Sequence, residues 1–134
     1  MQKKNRSLPV AKKKQKHEAL RWILEPLLDE PSYLERPMFG CLAGYLHGRL
    51  VLVLASGDEP WKGVLIPTER QFHPAIQVEF SAVAQHPVLK KWLYLSESSE
   101  DFESVAADIV EAVLRNDPRF GVEPGARSSR KKKS

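Results

Sequence analysis

The chain is poor in cysteine, has no long apolar run and contains none of the short motifs that mark common catalytic sites. Its one cysteine, Cys41, excludes an intramolecular disulfide and fits a reducing cytoplasm. The longest apolar stretch lies around Leu50 to Ala55, far short of the ~18 residues a membrane span requires. Leu8-Pro9-Val10-Ala11 is too short for the apolar centre of a secretory signal. A soluble, cytoplasmic protein with no membrane partner is therefore expected. Gly-rich phosphate loops, nucleophile elbows, His-Glu-x-x-His and paired cysteines are missing as well. No catalytic residue, metal ligand or cofactor is nominated.

The four histidines, His17, His47, His73 and His86, share no ligand spacing. The acid pairs Asp58-Glu59 and Glu100-Asp101 fall in a turn and at a helix start, where negative charge is favoured structurally. Cys41 reads as a small core residue, and Trp22, Trp61 and Trp92 as packing residues, because no Arg/Lys-rich strand accompanies them.

What the chain has in abundance is segregated charge. Residues 1–16 carry seven basic side chains and residues 126–134 carry five, with no acid in either segment. The remaining residues hold nine basic against seventeen acidic side chains, a balance of −8 beneath an overall +4. The basic pI thus belongs to two tails, and the body between them is acidic. Lys12, Lys13, Lys14, Lys16, Arg127, Arg130, Lys131, Lys132 and Lys133 are the candidate nucleic-acid contacts, weak and sequence-independent. The same residues read equally well as solubilising, disordered ends.

At 134 residues the chain accommodates one core. The expected division is a tail over 1–16, one domain over 17–125 and a tail over 126–134. Cys41–Leu46 and Arg49–Ala55 flank His47-Gly48 and predict a β-hairpin, with Gly48 supplying positive φ. Leu50-Val51-Leu52-Val53-Leu54 lacks polar alternation and predicts a strand covered on both faces. Gly40 and Gly44 mark a bulge or a close approach by a covering helix. Leu20, Ile23, Leu24, Leu27 and Leu28 form one stripe of an N-terminal amphipathic helix, kinked or ended by Pro26.

Trp61–Ile66 and Trp92–Leu95 predict further strands, Thr68 a cap for a turn over Glu69–Phe72, and Ile76–Phe80 a strand after an interruption at Pro74. Ser98 and Asp101 open a C-terminal helix whose stripe is Phe102, Val105, Ala106, Ile109 and Val113. Asn116-Asp117-Pro118 stops it, and Phe120-Gly121-Val122 is expected to fold back as an anchor. The fold class predicted is α+β, an antiparallel sheet of about four strands with an N-terminal and a C-terminal amphipathic helix.

Arg36-Pro37-Met38-Phe39-Gly40, followed by Gly44-Tyr45-Leu46-His47-Gly48-Arg49 and an apolar strand, resembles the opening of the TfoX N-terminal domain family. Cys41 stands where that family has a second Gly, and Trp61 to Phe80 departs from its pattern. The resemblance resumes at Trp92-Leu93-Tyr94-Leu95 and the last helix. It implies a small α+β domain known from bacterial competence regulators and from short proteins of unassigned role, without catalytic residues. The resemblance does not extend to the regulators' second, helical domain. The expectation is an interaction module, monomeric or homodimeric, that binds a protein partner and is associated with transcription. The alternative is a small enzyme or ligand-binding protein with a pocket between sheet and helices, a reading that polar groups converging around Tyr45, Arg49 and His73 would favour.

Overall fold

The unbroken apolar run Leu50–Leu54 has no face suited to water, and the fold gives it none. In a computed structural model describing residues 17–124, it lies inside a six-stranded antiparallel sheet. The strands are β1 (Leu34–Met38), β2 (Cys41–Leu46), β3 (Arg49–Ser56), β4 (Lys62–Ile66), β5 (Ala84–Gln85) and β6 (Leu93–Ser96). Their spatial order is β1-β2-β3-β4-β6-β5, which puts β3 between two neighbours. The protein is thus α+β, with six strands where about four were predicted. The added strands are β1, which reads in sequence only as a lead-in to the hairpin, and the two-residue β5.

Alternation along the strands divides the buried residues into two cores. Leu52, Leu54, Val64, Ile66, Leu93 and Leu95 join the larger, while Val53, Ala55, Leu65 and Tyr94 join the smaller. Where the pairing steps from Gly44↔Leu52 to Tyr45↔Leu50, Val51 is the extra residue of a bulge, and it follows Leu52 into the larger core. Gly44 sits at this step. A Cβ there would lie 3.0 Å from the Tyr33 hydroxyl, so the close approach is made by an aromatic ring and not by a helix.

The N-terminal helix is replaced by two consecutive 3-10 turns, Glu18–Ile23 and Glu25–Leu27. Leu24, Leu27 and Leu28 each donate their N–H three residues back, and Pro26, with no N–H to donate, sits in the second turn. Leu20, Ile23, Leu24 and Leu27 are buried as the stripe requires, but the tighter winding turns Leu28 outward, 52% exposed. Arg21 tethers these turns to β1 by donating to both Glu35 oxygens at 3.2 Å. The Tyr33 hydroxyl donates to the same carboxylate at 2.9 Å, and burial followed by that bond raises the Tyr33 pKa well above its ordinary value.

Residues Ile76–Phe80 belong to a helix and its cap, not to a strand. α1 spans His73–Glu79 and Pro74 falls in its first turn, where a missing N–H has no partner to lose. Ile76 and Phe80, four apart, are buried, while Val78 between them is 85% exposed, an arrangement that a two-residue period cannot produce. Thr68 is not a side-chain cap: its hydroxyl donates to the Arg119 carbonyl at 2.6 Å. α2 spans Phe102–Leu114 and buries Phe102, Ala106, Ile109 and Val113 with Val110 and Ala112, while Val105 is only partly buried. Asp101 precedes it without a side-chain capping bond, so the predicted capping box is not formed. Asn116 ends the segment with φ 60°. Phe120 is buried, Val122 exchanges backbone hydrogen bonds with Leu50 at 2.9 and 3.0 Å, and the chain folds back as predicted. Among the described residues no helix is long and apolar enough to cross a membrane.

Candidate functional site

Two hairpins stand at one end of the sheet's order, and both turn through a residue followed by Gly. His47 and Gly48 have φ 54° and 78°, and Phe39 and Gly40 have φ 53° and 77°. Positive φ at both central residues is the pattern of a type I′ turn, whose twist matches the strands it joins. The two first residues differ in what the fold gives them. His47 donates its N–H to the Ser32 hydroxyl at 2.9 Å, with its Nδ1 3.1 Å from the same oxygen. Phe39 has a bulky aromatic side chain in a left-handed backbone and is 69% exposed.

The strand beneath Phe39 is a free edge. In the register Met38↔Cys41, Pro37↔Leu42, Arg36↔Ala43, Glu35↔Gly44, Leu34↔Tyr45, the pair flanking the two-residue turn is hydrogen-bonded and the pairs alternate from there. Pro37 therefore directs its nitrogen away from β2. Its missing N–H costs the sheet nothing and leaves Glu35 as the main donor on the open edge, which blunts that edge against strand addition.

Leu34, Arg36 and Met38 share the face of Cys41, Ala43 and Tyr45. Met38 and Tyr45 pack against the smaller core, whereas Leu34 is 54% exposed. The Arg36 guanidinium carbon lies 6.0 Å from the Tyr45 ring centroid, and no carboxylate among the described residues pairs with it. The hairpin thus presents an apolar surface with one cation in it.

The clefts offer less. One of about 390 Å³ is lined by His47, Arg49, Glu69, Phe72, Asp117 and Phe120, among others. Arg49 donates there to the Gly121 and Phe120 carbonyls at 2.8 and 3.3 Å and stands 3.6 Å from Glu123. Asp117 is clasped by Arg119, whose Nη2 donates at 2.7 Å and whose hydrogen bonds hold the carboxyl below its ordinary pKa. Tyr45 and His73 do not line this cleft. Tyr45 is half-buried against the smaller core, and His73 is buried with Nε2 donating to the Lys91 carbonyl at 3.1 Å. The convergence of Tyr45, Arg49 and His73 that would favour a ligand pocket is not found in this cleft. A second cleft, about 560 Å³, is rimmed by Glu97, Glu100, Asp101 and Glu103, a charge that repels phosphate.

Tyr94 and Glu59 form a structural network. The Tyr94 hydroxyl accepts from the Lys62 N–H and donates to Glu59, both at 2.7 Å, and Ser96 donates to the same carboxylate at 2.6 Å. The bonds from Ser96 and Tyr94 lower the Glu59 pKa, while burial and Glu59 raise that of Tyr94. Among the described residues no group of three or more His, Cys, Asp or Glu side chains is arranged to hold a metal. Cys41 is buried and its thiol faces the Phe39 carbonyl at 3.7 Å. Lys12, Lys13, Lys14, Lys16, Arg127, Arg130, Lys131, Lys132 and Lys133 lie outside the described residues. Phe39 carries no functional signal in the sequence beyond the Gly that follows it, because Pro37 keeps the segment before it from reading as a strand. Comparison with known protein families, curated proteins and solved structures found no match to this chain.

Proposed function

We propose that the protein is a non-enzymatic interaction module of the TfoX N-terminal-like kind, working in the cytoplasm and docking a partner protein through the β1–β2 hairpin. Phe39 is the observation that carries this reading. A left-handed backbone costs an ordinary residue about 1–2 kcal/mol, and a 69% exposed ring recovers little of that by burial. Asn or Asp would make the same turn with less strain. An aromatic held in that position at a net cost to the free protein points to a contact made with something else.

The family reading draws support from the residues Arg36–Gly40 and Gly44–Arg49 forming consecutive hairpins, and from the helix that follows the last strand. The ligand-binding alternative has less behind it, because Arg49 and Asp117 in the cleft of about 390 Å³ are already bonded within the fold. The basic segments 1–16 and 126–134 add weak, salt-sensitive attraction to nucleic acid, and binding falls to them because the acidic body repels phosphate.

A photo-crosslinking residue placed at position 39, and separately at Val78 as an exposed control on α1, tests the docking reading in the native cell. A discrete adduct from position 39 and none from position 78 is expected. Equal labelling from both positions, or none from position 39, would overturn it.

A further inference from the structure

We infer that the segment docking on this hairpin carries a carboxylate flanked by large apolar side chains. The inference rests on the docking reading and specifies its partner. Leu34, Met38 and Phe39 offer apolar area in different degrees of exposure, and Arg36 lies among them over the Tyr45 ring. That guanidinium is exposed and has no carboxylate partner among the described residues. The nearest acid in the strand, Glu35, points to the opposite face, where Arg21 and Tyr33 bind it. A cation beside exposed apolar side chains is complemented by a segment that brings both a carboxylate and apolar bulk.

Two other occupants fit less well. A second copy of the chain, related by a twofold axis, would present the same patch in return. Arg36 would then meet a surface holding another Arg36 and no acid. A strand added to the edge of β1 would lose a ladder bond at Pro37, whose nitrogen faces outward and has no hydrogen to donate. Recognition therefore falls to side chains.

Panning the full-length protein against a displayed library of random linear peptides tests the inference. The most enriched peptide is then synthesised with a fluorescein label and its binding followed by anisotropy. Enriched sequences should place Asp or Glu within three residues of Leu, Phe or Trp. The labelled peptide should lose at least tenfold in affinity on Arg36→Glu and on Phe39→Ala. Replacing its acid by Lys should restore binding to Arg36→Glu and weaken binding to the unaltered protein. Both positions are exposed, so unchanged circular dichroism and melting separate loss of binding from loss of fold. Peptides that depend on Phe39 but are indifferent to the charge at Arg36 overturn the inference and leave the docking reading standing. Recovery of no peptide that depends on Phe39 overturns both. Concentration-dependent dimerisation abolished by Phe39→Ala would assign the patch to a second copy, and so also overturn the inference.

Discussion

The imidazole of His86 lies against the indole of Trp61, with ring centroids 4.5 Å apart, and contributes no accessible surface to the protein. Its Nδ1 accepts the N–H groups of Val88 and Leu89 at 3.0 and 2.9 Å, which leaves Nε2 to donate to the Pro60 carbonyl at 2.8 Å. One ring thus ties the β3–β4 loop to the segment before β6. His86→Ala would leave three backbone groups without their partner, at about 1–3 kcal/mol for each that stays buried. A loss of at least about 3 kcal/mol in denaturant unfolding is expected on that basis. Nitrogen-15 NMR should show the proton on Nε2, and a proton on Nδ1 would contradict the assignment.

Gly63 and Gly48 both have positive φ, but only Gly63 is crowded. A Cβ on Gly63 would collide with the Leu95 carbonyl oxygen and approach the Glu97 nitrogen at 2.8 Å, whereas one on Gly48 would meet nothing within 4 Å. Gly48→Ala should cost about 1–2 kcal/mol, the strain of the left-handed backbone alone. Gly63→Ala should cost clearly more, since the β4–β6 pairing must shift. Equal melting points for the two variants would contradict this account.

Ile109 is buried in the larger core at the centre of the α2 stripe. Ile109→Ala should destabilise by roughly 2–5 kcal/mol. An effect near zero in equilibrium unfolding would remove α2 from the core.

Asp117 has its folded-state pKa depressed, chiefly by hydrogen bonds from Arg119. Its contribution is therefore present above the unfolded value of about 4 and lost as pH falls through the lower folded value. Asp117→Asn should be less stable than the unaltered protein at neutral pH, with the difference shrinking below pH about 4. A constant difference across that range would show that the charge is not responsible.

The hairpin at His47-Gly48 was legible because a turn signal and an apolar run coincide there, and the C-terminal stripe because its period extends over the whole of α2. The Leu20–Leu28 stripe was legible as a buried surface but not as 3-10 turns, since i+3 and i+4 spacing serves both windings until Leu28 is reached. β1 was hidden by Pro37, which argues against a strand unless its nitrogen faces a free edge. α1 was hidden by Pro74, which stops a helix in its interior but not in its first turn. The docking surface was hidden more deeply. Sequence shows that Phe39 precedes a Gly, but only the structure reveals that its backbone is held at positive φ and its ring left in solvent.

If Phe39 serves a contact outside the free protein, Phe39→Asn separates that contact from folding once melting temperature and partner crosslinking are measured on the same variant. Asn is favoured in the first position of a type I′ turn, so relief of backbone strain should raise stability by up to about 1 kcal/mol. The same substitution should remove the anchor, and the adduct from an apolar crosslinker moved to the exposed Leu34 position, with Arg36 kept, should disappear. A more stable protein that no longer captures its partner is the predicted result. A destabilised protein with undiminished capture would mean that the ring serves the fold, and the docking account would be wrong.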